Sequence, residues 1–208
     1  MMKKQKKSLI AALLLAVLLL LPAGCGVQGG AADTPPGGAQ QTEGKDQYQT
    51  DPVPDGKPAP VEPDDAVVDT GTQLTCTISI SCATILDNWD KCADSKKPLV
   101  PDDGVLLPAT EVTFSQGESV YDVLQRVCRE NKLHMESSFT PVYNSAYIEG
   151  IGNLYEFDCG ELSGWMYSVN GVWPDYGCSG YTLHDGDTVV WSYTCDLGRD
   201  VGALQGEP

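Results

Sequence analysis

Aromatic side chains between residues 172 and 181 are the feature of this sequence best suited to binding chemistry. Trp173, Tyr176 and Tyr181 lie there among glycine, proline and aspartate, outside any periodic apolar pattern. Indole and phenol rings offer rigid contact areas that lose little entropy on binding, and binding residues concentrate on loops held by a scaffold. We therefore expect the three rings to be clustered, partly exposed and available to a ligand. The alternative is that they only pack a corner of the fold.

Cysteine is the second residue type with chemical potential. The chain has eight cysteines, and seven of them follow Cys25. Outside the cytoplasm such residues commonly pair as disulfides. Cys92 lies in the polar stretch NWDKCADSKK, which predicts an unpaired surface thiol. The other six are the predicted disulfide cysteines: Cys76, Cys82, Cys128, Cys159, Cys178 and Cys195.

The connectivity of these six cysteines stays open at the level of sequence, because many pairings are allowed. Cys159 and Cys178 are one candidate pair, since they bracket a strand and the connection after it. No two cysteines have the C-x-x-C spacing of a zinc site, and the two histidines, His134 and His184, are isolated. We expect no metal ion and no cofactor.

The acidic residues offer no recognisable catalytic arrangement. Glu156, Asp158 and Glu161 surround Cys159, but no glycosidase or protease motif frames them. A solvated acidic loop is the simpler interpretation. Because no pair of nucleophile and base is visible either, we expect that the chain is not an enzyme.

The N-terminal residues predict secretion. Four lysines within residues 1–8 precede an apolar run over residues 9–21, and small residues lead to Cys25. The run is shorter than the roughly 20 residues that a spanning helix needs. It resembles a bacterial lipoprotein signal, which implies removal of residues 1–24 and lipidation of Cys25 at the extracytoplasmic face of the bacterial cell membrane. The alternative is ordinary cleavage near Ala23.

Charge excludes one class of partner. Residues 1–24 contain four lysines and no acid, so the chain after them carries 9 basic against 29 acidic residues, a formal charge of −20. A chain this acidic has no basic patch to neutralise phosphates. We expect no nucleic acid partner, and membrane attachment only through the lipid on Cys25.

The chain divides into three parts after the signal. Residues 25–71 are rich in glycine, proline and aspartate with few large aliphatic side chains, which predicts a disordered stalk. Residues 72–197 have the composition of one folded domain, and residues 198–208 are a predicted flexible tail.

Within the domain, alternating apolar residues predict strands over 74–82, 105–114, 134–140 and 146–151. Pro108 interrupts the second strand and indicates an edge or a break. The stretch GESVYDVLQRVCREN predicts a helix capped by Ser119, with Asp122 three residues on. Trp165, Tyr167 and Val169, and then a second alternating set over 189–193, predict two aromatic strands.

Four motifs carry a family resemblance: GESVYDVL, AYIEGIG, GWMYSVNG and YTLHDGDTVVWSY. They resemble the transcobalamin-like C-terminal domains of bacterial surface proteins and the C-terminal domain of transcobalamin and intrinsic factor. The resemblance implies an α+β fold of the β-grasp type, in which one helix lies on a mixed sheet. In the animal carriers this module closes over cobalamin with the help of a helical barrel, for which this sequence has no counterpart.

Two functions follow as hypotheses. The first is a lipid-anchored, non-catalytic binding module for a small molecule such as a corrinoid (cobalamin would then be a bound ligand, not a cofactor), or for a surface glycan or peptide. The second is a structural or adhesive cell-surface domain that contacts other proteins, for example by adding a strand to a sheet edge.

Overall fold

The computed structural model describes residues 48, 50–53 and 56–203, and all of them belong to one compact unit. The predicted signal peptide, Cys25 and most of the predicted stalk lie outside the described residues, as do residues 204–208. Among the described residues, no helix has the length and apolar character needed to cross a membrane. The elements are β1 (Asp69–Ser81), α1 (Thr84–Asp87), a 3-10 turn (Lys97–Leu99), β2 (Val105–Gln116), α2 (Val120–Glu130), β3 (Met135–Thr140), β4 (Ser145–Ile151), β5 (Leu154–Tyr155), β6 (Gly164–Val169) and β7 (Asp187–Thr194).

A four-stranded mixed sheet forms the centre of the fold. Its order is β2-β1-β7-β6, with β1 and β7 parallel and both outer pairs antiparallel. The strands β3, β4 and β5 form a second, antiparallel sheet. This α+β architecture with a mixed sheet confirms the predicted fold class.

Helix α2 begins and packs as its sequence predicts. The backbone N–H of Ser119 donates to the Asp122 carboxylate at 2.8 Å, and the N–H of Asp122 donates back to the Ser119 hydroxyl at 3.2 Å. This reciprocal cap satisfies two donors that would otherwise be left open at the helix start. The apolar face of α2 then packs on the main core, together with Ile78 and Ile80 of the sheet.

Two further sequence features have the predicted role. Pro108 lies in the edge strand β2, where the β1–β2 register shifts, so the missing N–H interrupts no central ladder. The aromatic strands pair as β6 and β7, with Tyr167 opposite Trp191. Asn170 and Gly171 follow β6 with φ of 53° and 76°, the left-handed geometry that a tight turn requires.

A second, smaller core lies beside the main one and is called the cysteine cluster here. It contains seven buried residues: Cys82, Ile85, Cys92, Leu154, Cys159, Tyr193 and Cys195. The ring of Trp165 packs against both cores.

The predicted boundaries of the domain differ from the described elements at both ends. The predicted stalk runs to residue 71, but β1 already begins at Asp69. In the predicted tail, the carboxylate of Asp200 accepts the N–H of Cys195 at 2.7 Å and also the hydroxyl of Thr194. Both ends of the domain therefore continue beyond the apolar pattern from which they were predicted.

Candidate functional site

The loop that follows β6 brings the three predicted binding residues together. The rings of Tyr176 and Tyr181 stack with centroids 6.2 Å apart and planes 17° apart. Tyr167 meets Tyr181 edge-on at 6.3 Å, and its hydroxyl donates to the Tyr176 carbonyl at 2.9 Å. Trp173 lies in the same loop and lines the same cavity as Tyr176 and Tyr181.

The three rings differ in exposure. Trp173 and Tyr176 are half-buried, as expected for a binding surface. Tyr181 is only 5% exposed, so the expectation that it is partly exposed was wrong. Its ring lies between Tyr167 and Tyr176, and its carbonyl accepts the N–H of Val120 at the start of α2. Tyr181 therefore supports the loop from within the core.

The cavity beside this loop is called the aromatic pocket. Its volume is about 260 Å³, and most of its lining is apolar. Its walls are formed by twelve residues: Val53, Gly56, Lys57, Pro58, Val169, Asn170, Val172, Trp173, Pro174, Asp175, Tyr176 and Tyr181. Asp175 and Lys57 supply polar groups that could orient a ligand, whereas the side-chain amide of Asn170 bonds Asp187 and Thr188.

One wall of the aromatic pocket comes from residues 56–62, called the strap. The Tyr176 hydroxyl donates to the Pro58 carbonyl at 2.9 Å, and the N–H of Val61 donates to the Gly180 carbonyl at 2.8 Å. The Asn144 side-chain amide donates to the Glu62 carboxylate at 2.5 Å. The strap belongs to the segment predicted as a free stalk, so sequence reasoning missed Lys57 and Pro58 as pocket residues. The sequence contains one signal for this contact, a proline-rich stretch in a chain that also has an aromatic loop, because aromatic grooves bind such segments.

A second cavity borders the same loop. It has a volume of about 530 Å³ and shares Pro174, Asp175 and Tyr176 with the aromatic pocket. Its other walls include Tyr143 and Tyr147, which are 57% and 46% exposed. A ligand in the aromatic pocket could therefore extend across the loop onto further aromatic side chains.

Burial keeps three phenols and one thiol near the loop in their neutral forms. It raises the pKa of the phenols of Tyr167, Tyr176 and Tyr181. It also raises the pKa of the Cys178 thiol to about 12. At neutral pH these groups are hydrogen-bonding and apolar surfaces, because the thiolate and phenolate forms are suppressed.

The remaining predicted aromatic and cysteine residues are structural in position. Trp191 is 2% exposed in the main core, and the indole N–H of Trp165 donates to the Leu154 carbonyl at 2.8 Å. Cys92 is 4% exposed, so its predicted surface position was wrong: the polar loop around it folds over the cysteine cluster. The proposed partners Cys159 and Cys178 are not brought together, since Cys178 lies in the main core and Cys159 in the cysteine cluster. No group of three or more His, Cys, Asp or Glu within the described part of the chain is arranged to hold a metal ion.

A family model described as a domain of unknown function (DUF4430) matches residues 117–195. This range begins just before the helix cap, contains the aromatic loop and ends at Cys195. All four motifs that carry the family resemblance in the sequence lie inside it. No curated protein matches the chain in sequence.

Two solved structures are similar to the chain. One is haptocorrin in complex with Cbi, with a TM-score of 0.43 and 14% identity over 62% of this chain. The chain spans 27% of the length of that haptocorrin chain. The other is a protein from Ruminococcus gnavus named for metal binding, with a TM-score of 0.33 and 14% identity over 58% of this chain and 96% of that one.

Proposed function

We propose that this protein is a lipid-anchored, extracytoplasmic binding module without catalytic activity, whose ligand inserts an apolar or aromatic group into the aromatic pocket. The observation that carries the proposal is the pocket itself. Trp173 and Tyr176, the candidate binding residues predicted from sequence, are half-buried side chains on one mostly apolar cavity. Half-buried aromatics beside such a cavity are the usual composition of a small-molecule site.

The size of the pocket limits the ligand. Its volume of about 260 Å³ falls just below the roughly 300–1,000 Å³ of whole-ligand cavities. It therefore holds one ring or one side chain of a larger molecule. A corrinoid, a glycan or a peptide would place one such group inside and lie across Trp173 or the neighbouring Tyr143 and Tyr147.

The groups around the pocket support binding in preference to catalysis. The nearby Cys178 thiol, with its pKa raised to about 12 by burial, is protonated at neutral pH and is a poor nucleophile. The raised pKa values of the Tyr167 and Tyr176 phenols remove them as bases in the same pH range.

The anchor and the location rest on the sequence of residues 1–25. The lysines, the short apolar run and Cys25 support lipidation, and the charge of −20 on the rest of the chain argues against attachment by surface charge. Changing Cys25→Ala should move the protein from the membrane fraction to the soluble fraction. Retention of the variant in the membrane with an uncleaved signal would contradict the anchor.

Binding is tested with matched tryptophan variants of the full chain. Trp173 lines the pocket, whereas Trp89 is 43% exposed and packs near Lys97 away from it. The probes are a corrinoid and a chito-oligosaccharide, each in a thermal-shift titration. A ligand at a hundred times its dissociation constant adds about 2.7 kcal/mol of stability. We expect that gain in the wild type and in Trp89→Ala, and its loss in Trp173→Ala. Equal gains in both variants would remove the aromatic pocket from the proposal.

A second candidate is an adhesive domain, favoured by the apolar residues exposed on the β3–β4 hairpin. Phe139, Val142 and Tyr143 are 57%, 59% and 57% exposed. Clustered exposed apolar side chains are typical of protein contact surfaces. The test is sedimentation at several protein concentrations. Self-association that rises with concentration would support this function over ligand binding, provided that Phe139→Ser abolishes it and Trp89→Ala does not.

A further inference from the structure

Four of the seven described cysteines share one buried site although they come from four separate segments. Cys82 follows β1, Cys92 lies in the loop after α1, Cys159 lies between β5 and β6, and Cys195 follows β7. All four are at most 4% exposed. Tyr193, also in this cluster, is fully buried and donates its hydroxyl to the Tyr155 carbonyl at 2.7 Å.

The thiols of this cluster interact with one another. The pKa of Cys82 is raised to about 12, mainly by burial, and Asp103, Cys92 and Cys195 contribute in the same direction. Burial also raises the pKa of Cys159, and the next cause is a hydrogen bond with the Cys92 thiol. The Cys159 thiol also lies within hydrogen-bonding reach of Cys195.

The other three described cysteines have different surroundings. Cys76, Cys128 and Cys178 lie in the main core around α2. Burial raises the pKa of all three, to about 11 for Cys76 and about 12 for the other two, and the only charges acting on them are those of carboxylates and one arginine. The main core therefore holds separated thiols, whereas the cysteine cluster holds interacting ones.

Backbone contacts favour one of the pairings that the cluster allows. The N–H of Ala93 donates to the Asp158 carbonyl at 2.8 Å, so Cys92 and Cys159, each adjacent to that bond, lie on neighbouring backbones. The register of the parallel strands β1 and β7 pairs Ser81 with Ser192, so Cys82 and Cys195 both lie just beyond the same end of this strand pair, with Cys195 two residues further along. The Cys195 sulfur lies 3.8 Å from the hydroxyl of Thr84, two residues after Cys82. Neighbouring backbones are the condition for a disulfide, whose Cα atoms must lie within about 7 Å.

We infer that the cysteine cluster is a two-disulfide site in the oxidised protein, with Cys92 bonded to Cys159 and Cys82 bonded to Cys195, while Cys76, Cys128 and Cys178 remain thiols. The bonds join the loop around Cys92, the β5–β6 connection and the ends of β1 and β7 into one covalent unit. This inference goes beyond the proposed binding function and does not depend on it.

The chemistry needs a disulfide oxidant such as oxidised glutathione. One cysteine thiolate attacks the oxidant's disulfide, forming a mixed disulfide and releasing one thiol. The partner thiolate then attacks the protein sulfur of the mixed disulfide and releases the second thiol, so two protein thiols are oxidised and one oxidant disulfide is reduced. Because burial suppresses the thiolates in the folded protein, the bonds must form during folding, before the cluster closes.

The test is a disulfide map of the refolded full chain. The chain is refolded from denaturant in reduced and oxidised glutathione, its free thiols are blocked with iodoacetamide, and the protein is digested with pepsin at low pH without reduction. Tandem mass spectrometry should find crosslinks Cys92–Cys159 and Cys82–Cys195, with label on Cys76, Cys128 and Cys178. Any other pairing among the four cluster cysteines, a crosslink to one of those three, label on all seven cysteines that follow Cys25, or zinc retained by unoxidised cluster thiols would overturn the inference.

A melting experiment supplies an independent readout. Reductant should lower the Tm of the refolded wild type by at least about 10 °C, because two crosslinks closing long loops are lost. The control Cys128→Ala, in the main core, should keep that sensitivity. The double variant Cys92→Ala, Cys82→Ala should lose it, and a wild-type Tm that reductant leaves unchanged would also overturn the inference.

Discussion

The aromatic pocket and the cysteine cluster both lie against the paired strands β6 and β7, but they differ in solvent exposure. In the pocket, Trp173 and Tyr176 remain half-buried, and one wall is a strap held by hydrogen bonds to carbonyls near the surface. In the cluster every member is at most 4% exposed. An open pocket leaves apolar surface accessible, whereas a closed core fixes the scaffold around it.

The largest expected effect is a loss of stability at alkaline pH that arises from the buried thiols of the cysteine cluster and the main core. The folded pKa values of Cys82, Cys159 and Cys195 in the cluster, and of the three thiols in the main core, lie above the unfolded value of 9.0. The unfolded chain therefore loses these protons first, so their contribution to stability is complete below pH 9 and falls as the pH rises. Each such group adds a slope of up to about 1.4 kcal/mol per pH unit.

Oxidation of the cluster should remove its share of this slope. The stability measured by urea unfolding between pH 9 and 10 should then fall more steeply with pH for the reduced protein than for the oxidised one, since three of the six shifted thiols no longer titrate. Equal slopes would mean that the cluster thiols do not differ between the two preparations.

The next effect compares two tryptophans. Trp165→Ala removes a ring that contacts Tyr193 edge-on at 5.3 Å and leaves the Leu154 carbonyl without its donor. We expect a loss of about 3–4 kcal/mol in the free energy of unfolding. Trp173→Ala, at the open pocket, should cost less than about 1 kcal/mol. Similar losses measured by urea denaturation would make Trp173 a core residue and move the binding site elsewhere.

A smaller effect comes from removing single hydroxyl groups. The Tyr193 hydroxyl donates to the Tyr155 carbonyl at 2.7 Å and lies 3.0 Å from the Ser163 hydroxyl, and the ring is fully buried. Tyr193→Phe removes this buried hydroxyl and leaves the Tyr155 carbonyl with only the longer bond from the Asp158 N–H at 3.3 Å, which should cost about 1–2 kcal/mol. Chemical denaturation of this variant and of the wild type measures the loss in the free energy of unfolding. An unchanged midpoint would show that water replaces the hydroxyl inside the cysteine cluster.

Local sequence patterns predicted the strands and the helix, whereas contacts between residues far apart in the chain determine the aromatic pocket and the cysteine cluster. The alternation around Trp165 and Tyr167 and the Ser119–Asp122 cap are interactions between near neighbours, so the sequence alone sufficed. Burial of Cys92 and docking of the strap depend on partners far along the chain: Tyr176 and Pro58 are 118 residues apart. A polar loop or a proline-rich segment has no apolar periodicity of its own, so nothing local showed that tertiary contacts would hold it.

The smallest effect tests whether the strap is held by the pocket loop. Tyr176→Phe removes the hydrogen bond to the Pro58 carbonyl but keeps the ring that stacks on Tyr181. Because that carbonyl lies near solvent, water can replace the lost donor, and the global stability should fall by less than about 0.5 kcal/mol. The strap itself should open more often. The amide hydrogen of Val61, whose N–H donates to the Gly180 carbonyl, should then exchange about two to three times faster than in wild type. Tyr193→Phe is the control variant. In it, the exchange rate of Val61 divided by that of Ile80 should equal the wild-type ratio. An unaltered rate at Val61 in Tyr176→Phe would mean that the strap is held by its other contacts, and that the aromatic pocket keeps its wall without the tyrosine hydroxyl.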